Sequence, residues 1–416
     1  MDDSHTAPGV TRRAFLRGAG LVFTTLLLEA CNRQARLRLT ATSPPPTAAP
    51  APTLTPPTVV TAPTLAPTAV VEAADLVLTH GHVITVDPRD TIAQAVAVRG
   101  DRIVAVGSDD QMRAYIDPQT QVLDLGGKTV TPGLIDAHNH LQVLGQLQEF
   151  YVPFMPPEIK NMDDLRAKLA EVVAQKPEGE WVVGYFFAVG ERLPNRHDLD
   201  PVSPNHPVWL IQQGGHYGSC NTRALEAAGI TAATPSPEGG LIEKDASGQP
   251  TGVFYNHRAM DVLRQAAPRA TPEMTRGFIT AAQPIFAACG VTTFHDNNVR
   301  GVDTVRSYFD TDREGKMLIR GGVYYTLEWP GDLQRALKEV EYYQGNGFMR
   351  FAGFKFLLDG QALMAYCHQP HNGVRWDMPT WEPQSFKDAV RALHDTGLQI
   401  CVHCVGDAAV DLTLDA

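Results

Sequence analysis

Thr131-Pro132-Gly133-Leu134-Ile135-Asp136-Ala137-His138-Asn139-His140-Leu141 is the stretch whose reading decides the fold. A short apolar segment entered through Pro132-Gly133 and ending in His138-x-His140 predicts a buried strand that delivers two imidazoles at its C-terminal end. Residues two apart in a strand point to the same side. His138 and His140 can therefore approach one metal ion together, at the roughly 2.0–2.1 Å that Zn–N bonding requires. Two ordinary histidines near a strand end give the same local pattern, so the choice rests on the rest of the chain.

The 416 residues are 44% hydrophobic and 19% charged, enough for a large core and usual for a globular enzyme. A net charge of -11, with no Lys/Arg patch outside the N-terminus, argues against nucleic acid or an anionic membrane surface as the main partner. No phosphate-binding glycine loop follows a predicted strand. Self-association into a homo-oligomer is left open by the sequence.

The N-terminus reads as an address. Thr11-Arg12-Arg13-Ala14-Phe15-Leu16-Arg17 precedes an apolar run, Gly18 to Leu28, that is short for a membrane span. It resembles a bacterial twin-arginine (Tat) signal. Leu28-Glu29-Ala30-Cys31 places a cysteine where lipoprotein signals carry the lipidated one, although Glu29 stands where a small residue is usual. Lipidation at Cys31 is the preferred expectation over plain cleavage, which makes the product an exported, cell-surface or periplasmic lipoprotein held to the membrane by its lipid. Residues 32–73 are rich in Pro, Thr and Ala, a composition that cannot build a core and favours extended polyproline II. They read as a tether, and a glycosylated stalk would make the same spacer. The remaining cysteines, Cys220, Cys289, Cys367, Cys401 and Cys404, are an odd, scattered set, which argues against a disulfide framework. Cys401 and Cys404 lie three apart on a predicted strand, so their side chains face opposite ways.

Residues 74–130 read as short alternating strands joined by turn residues such as Asp87-Pro88-Arg89-Asp90 and Arg99-Gly100-Asp101, which predicts a small antiparallel β unit. Beyond the 131 strand, from about 145 to 271, the pattern blurs. A helix is predicted from Asp163 to Ala174 and strands from Trp181 to Phe187 and Pro207 to Gln212. This insertion reads as a cap over a site at the strand end, or as a separate domain. From Pro272 onward helices and strands alternate. The predicted strands are Gly290 to Asp296, Leu318 to Leu327, Phe351 to Leu358 and Leu398 to His403, and the third of the helices preceding them runs from Asp332 to Tyr343. Alternation of this kind means βα units and a parallel sheet, an α/β fold of the (β/α)8 TIM-barrel type with about five units present. Polar residues fall at the strand ends: His138 and His140, His295-Asp296, Lys355 with Asp359, and His403.

Lys355 sits inside the apolar run Phe354-Lys355-Phe356-Leu357-Leu358. A lysine buried there is costly unless it is neutralised, paired or modified. Desolvation would lower its pKa and free the amine to react with CO2, giving a carbamate anion able to bridge two divalent ions. A salt bridge to Asp359 is the alternative. His403 then ends the next strand as a fourth protein ligand.

With these segments on the page, the chain resembles the amidohydrolase superfamily, in the YtcJ-like branch that also includes N-substituted formamide deformylase. The resemblance runs from about Ala74 to the end. It rests on the His138-x-His140 strand, on Gly214-Gly215-His216-Tyr217-Gly218-Ser219-Cys220-Asn221, on Gly239-Gly240-Leu241-Ile242, on Gly290 to Asp296, on Lys355 to Gly360 and on His403 to Asp407. It implies that His138 and His140 bind a first divalent metal, Zn2+ by preference, that Lys355 is a carboxylated bridge, and that His403 binds a second ion where two are present. It further implies that His216 shapes the pocket for an amide-like small molecule. Residues 74–130 would be part of a composite flanking β-sandwich, and 131–416 a partial metal-dependent hydrolase barrel.

The family pattern also requires a histidine on the sixth strand and an aspartate on the eighth, and both would lie beyond Ala416. The catalytic carboxylate is therefore unassigned here, and the 416 residues alone are expected to be inactive, as the first part of a longer protein or as a truncated product. Hydrolysis of non-peptide C–N bonds in amides, formamides or cyclic amides is the expected activity of the complete protein. The rival is a surface lipoprotein that binds a ligand on a degenerate barrel without catalysis.

Overall fold

In the computed structural model the chain divides into two units, Met1–Val70 and Val71–Ala416. The structure describes residues 71–186, 192–327, 331–339, 347–360, 364–369 and 379–416. The twin-arginine segment, Cys31 and the tether up to residue 70 lie outside the described residues, as does the end of the helix predicted to reach Tyr343.

The second unit opens with β1 (Leu76–Thr79), β2 (His82–Ile84), β3 (Ile92–Ala93), β4 (Ala95–Arg99), β5 (Arg102–Gly107), α1 (Asp109–Met112), β6 (Gln121–Asp124) and β7 (Thr129–Val130). They form a four-stranded sheet, β5-β4-β1-β6, and a three-stranded one, β3-β2-β7. The expectation of an antiparallel unit needs correction, because β1 pairs with β6 and β2 with β7 in parallel. The long connections through β4, β5 and α1 supply the crossover that parallel neighbours require. Val77, Ala95, Ala97 and Met112 form its small core.

β8 (Leu134–Asn139) then leads into α2 (Leu141–Glu149). Position 145, where the insertion was expected to start, is inside this helix, which crosses a later barrel helix closely: a Cβ on Gly145 would stand 2.1 Å from the Phe278 carbonyl oxygen. Next come β9 (Val152–Phe154), α3 (Met162–Ala174), β10 (Val182–Phe186), α4 (Arg196–Leu199), β11 (Val208–Gln212), β12 (Tyr217–Cys220), α5 (Thr222–Ala227), β13 (Leu241–Lys244), β14 (Pro250–Tyr255) and α6 (Asn256–Ala266). Their six strands form one mixed sheet, β13-β14-β12-β11-β10-β9. Successive residues of β11 go to opposite faces. Trp209 and Ile211 join Phe254, Met260 and Leu263 on one side, while Val208 and Leu210 join Phe154, Leu165 and Phe186 on the other. A sheet covered on both faces reads as continuous apolar runs, which is why its strands lack a clean alternation.

The last section is α7 (Pro272–Ala288), β15 (Val291–Val299), α8 (Val302–Arg313), β16 (Arg320–Leu327), α9 (Gly331–Glu339), β17 (Met349–Leu357), α10 (Pro383–His394), β18 (Gln399–His403) and α11 (Asp407–Leu414). Thr271 caps α7 through Met274 N with Pro272 in the first turn, and Glu382 caps α10 through Gln384 N and Ser385 N ahead of Pro383. The strands form a five-stranded parallel sheet, β18-β17-β16-β15-β8.

Its curl is visible in one contact. Asn297 on β15 and Cys401 on β18 are three strand spacings apart, roughly 14 Å on a flat sheet, yet Nδ2 of Asn297 lies 3.6 Å from Sγ of Cys401. The sheet therefore curves like half a barrel, with Lys355 sharing the concave face because it pairs with Cys401 across the ladder. Phe354 and Phe356, on either side of Lys355, point to the convex face and are fully buried under the helices with Trp381 and Phe386. Each such phenylalanine contributes about 1.5–3 kcal/mol by leaving water. Among the described residues no helix is long and apolar enough to cross a membrane.

Candidate metal centre

The C-terminal ends of β8, β17 and β18 bring the predicted ligands to one rim. His138 is the penultimate residue of β8 and His140 follows the strand at the start of α2. Their rings meet edge to face, with centroids 5.5 Å apart. Lys355 is 4% exposed on β17, and burial lowers its pKa, against the nearby Cys401 and Cys404 thiols. No ion pair to Lys355 is present among the described residues. The proposed partner Asp359 is occupied elsewhere: its carboxylate accepts hydrogen bonds from the backbone N–H of Tyr366, Val405 and Gly406 at 2.8–3.2 Å. Burial nonetheless raises the Asp359 carboxyl, with those three donors opposing the shift.

His403 ends β18 with its Nε2 buried and lacking a hydrogen-bond partner. Burial, then the positive charge of Lys355, lowers its pKa to about 4, so the ring is a neutral donor at neutral pH. His138 is lowered by the same two causes in the same order. His216, from the turn before β12 of the inserted sheet, stacks on His403 with its own Nδ1 buried and unpartnered. Burial, followed by the proximity of His403, takes its pKa to about 3. The inserted region thus reaches the rim through His216.

His295 and Asp296, expected at a strand end, are mid-strand, because β15 continues to Val299. His295 lies on the concave face one layer below Lys355, 3.3 Å from an Arg350 guanidinium nitrogen and 3.5 Å from the Tyr324 hydroxyl. Asp296 turns to the helix side and is fully buried. It accepts from the Tyr308 hydroxyl at 2.5 Å and stands 3.8 Å from Nδ1 of His140. At 3.8 Å the carboxylate and the imidazole are close but beyond hydrogen-bond distance. The Cys401–Cys404 pair splits as strand geometry requires, Cys401 toward Asn297 and Cys404 toward Thr413 at 3.0 Å, and the five described cysteines are free.

Sequence reasoning missed the Asp296–Tyr308 support, the three-donor setting of Asp359, and His257, whose Nε2 is buried without a partner. Tyr308 follows Asp296 by 12 residues and the donors to Asp359 follow it by 7, 46 and 47, spacings that no local pattern encodes.

Among the described residues no three His, Cys, Asp or Glu side chains come together closely enough to hold an ion by themselves. The four predicted ligands, His138, His140, Lys355 and His403, nevertheless lie on, or for His140 directly after, strands of the same curled sheet. The observations that support a metal are the unsatisfied, neutral Nε2 of His403 and a buried lysine without an ion-pair partner among the described residues, both disfavoured arrangements unless a further group joins them.

A profile of the Amidohydrolase family matches residues 121–416. The chain is 32% identical over 362 residues to N-substituted formamide deformylase of Arthrobacter pascens, covering 82% of this chain and 65% of that protein. It is 27% identical over 353 residues to the amidohydrolase YtcJ of Bacillus subtilis (strain 168), covering 81% and 64%. The chain thus spans just under two thirds of the length of these relatives. In fold it is similar to an uncharacterized metal-dependent hydrolase from Pyrococcus horikoshii OT3, with a TM-score of 0.63 and 22% identity over 82% of this chain and 67% of that one. Since the matching profile takes in the curled sheet, the inserted sheet and every rim residue described above, the protein belongs to the amidohydrolase family.

Proposed function

We propose that the protein is a metal-dependent hydrolase of non-peptide C–N bonds, acting on amides, formamides or cyclic amides. The observation that carries the reading is Lys355, buried at the rim between the His138/His140 strand and the His403 strand with no ion-pair partner among the described residues. His138 and His140 would hold one divalent ion, with zinc the preferred identity, and His403 a second. Lys355 would bridge them as a carbamate: the free amine adds CO2, one N–C bond forms and one proton leaves. A divalent ion bound there supplies Lewis acidity to the scissile carbonyl and to the attacking water.

The chain's own residues do the rest. Burial keeps His138 and His403 unprotonated and able to donate lone pairs. Asp296, held by the Tyr308 hydroxyl, lies 3.8 Å from Nδ1 of His140 on the helix side, where a small movement on metal binding would let it orient that ring. His216 closes the rim from the inserted sheet and offers a neutral imidazole to the substrate. Arg12, Arg13 and Cys31 support export by the twin-arginine route and lipid attachment, so changing both arginines to lysine should leave precursor in the cytoplasm, and its normal export would remove that assignment.

The test is turnover of N-formyl and N-acyl amines by the purified protein, before and after chelation and on restoring Zn2+. Chelation should abolish hydrolysis and zinc restore it. Undiminished turnover after complete metal removal would overturn the reading, as would absence of bound metal in active protein.

A further inference from the structure

The role of Asp359 is not that of a partner to the neighbouring lysine. Its carboxylate is 1% exposed and joins two pieces of chain. One oxygen accepts from Val405 N at 2.9 Å, and the other accepts from Gly406 N at 2.8 Å and Tyr366 N at 3.0 Å. Val405 and Gly406 directly follow His403-Cys404, and Leu358 N, next to Asp359, donates to the His403 carbonyl at 3.2 Å. The Tyr366 carbonyl in turn accepts from Ala409 N at 3.1 Å. The chains approach so closely that a Cβ on Gly406 would fall 1.9 Å from that carbonyl oxygen. The exit of β18 is thereby pinned on both sides of one carboxylate, while the buried Nε2 of the His403 ring at the same exit has no hydrogen-bond partner among the described residues.

We infer that Asp359 is a positioning residue which, by gathering the backbone N–H groups of Tyr366, Val405 and Gly406, sets the direction of the His403 ring toward the metal site instead of serving as the counter-ion of Lys355. The inference deepens the metal reading and rests on it for its function, although the geometry it invokes exists without metal.

An orienting group behind a metal ligand is typically worth about 10–100-fold in metal affinity. Asp359→Ala removes all three acceptor contacts. Asp359→Asn keeps the shape but turns an NH2 toward at least one backbone N–H whichever way the amide sits. Two measurements on folded protein decide the matter. The first is the 13C-histidine spectrum of the metal-free protein, in which the His403 signals, assigned by His403→Ala, carry a ring-current shift from stacking on His216. The second is Zn2+ affinity.

Asp359→Asn should collapse most of that shift while leaving the His138 and His140 signals in place, and should weaken zinc binding about tenfold. Asp359→Ala should exceed it in both. If Asp359→Ala does not fold, Asp359→Asn decides alone, because it retains the volume and one of the two acceptor oxygens. An unchanged His403 signal in folded Asp359→Asn overturns the inference. Equal movement of all the histidine signals also overturns it, since that would mark a general structural role. Failure of the wild type to bind zinc would refute the metal reading only, and the His403 signal would still decide the role of Asp359.

Discussion

The imidazoles of His216 and His403 stack with centroids 4.9 Å apart and planes inclined by 29°, although one belongs to the inserted sheet and the other ends a barrel strand. Burial is the first cause of the low pKa of each; the neighbouring His403 then lowers His216 further, whereas Lys355, His138 and His140 lower His403. Two neutral rings can stack in this way, whereas two imidazolium ions at that distance would repel. The contact therefore ties the placement of the insertion to the protonation state of the two rings.

From this follows an expectation for His216 variants. His216→Phe keeps a flat ring against His403 but offers no nitrogen to substrate, whereas His216→Ala removes both. His216→Phe should raise KM by about tenfold with zinc content unchanged, the cost of losing one positioning contact. His216→Ala should add a loss of zinc affinity. Steady-state kinetics with metal analysis separates the two, and identical behaviour of Phe and Ala would show that stacking contributes nothing.

A pH dependence follows from the same rings. An unfolded histidine titrates near 6.5, whereas His216 and His403 titrate at about 3 and about 4 in the fold, and burial holds His257 well below its usual range. Between those limits the unfolded state binds more protons, so stability rises with pH. The contribution is complete above about pH 6.5 and is lost as pH falls toward about 3–4, below which the folded rings also take up protons. Thermal unfolding of the metal-free protein should show the midpoint dropping through this window, with a shallower drop in His216→Phe. A midpoint flat from pH 7 to pH 4 would contradict the burial of these rings.

Much of the rim was legible because its signals are local. The spacing of His138 and His140, the lysine within Phe354-Lys355-Phe356, and the helix–strand alternation after Pro272 each occupy a few consecutive residues. The inserted sheet was not, since β11 buries Trp209 on one face and Leu210 on the other and so shows no polar side. Asn297 and Asn298 resemble a turn, which hid the continuation of β15 to Val299 and placed His295 too near the rim. The contacts of Asp296 and Asp359 depend on which strands lie side by side and on how far the sheet curls, and both are set by distant pairing.

The crossing of α2 on α7 provides a stability test free of the metal question. A methyl on Gly145 would meet the Phe278 backbone, with three of its atoms between 2.1 and 2.7 Å, so the helices would have to separate. Gly277, on the exposed side of α7, has nothing within 4 Å of an added Cβ. Gly145→Ala should destabilise by about 1–3 kcal/mol through overpacking. Gly277→Ala should stabilise by about 0.5–1 kcal/mol by reducing the backbone freedom lost on folding. Urea unfolding of both measures the contrast, and equal midpoints would mean that the helices are not in that close contact.

Lys355 carries the most decisive prediction. Its side chain lies on the concave face in register with Cys401, burial lowers its pKa, and Asp359 is engaged by backbone donors. A bare ammonium there would sit beside any bound cation without compensation, whereas a carbamate would offset the repulsion between two ions. Lys355→Ala should lose at least one equivalent of metal and about 100-fold or more in turnover, well beyond what loss of an orienting group costs. Small carboxylic acids should restore part of it by occupying the vacated bridge. Lys355→Arg should fail as well, because a guanidinium stays positive and cannot take up CO2. The carbamate itself is sought by 13C NMR after growth or exchange with labelled bicarbonate at neutral pH, since acid releases CO2. Full metal content and wild-type turnover in Lys355→Ala would make the lysine structural and leave a single ion on the histidines.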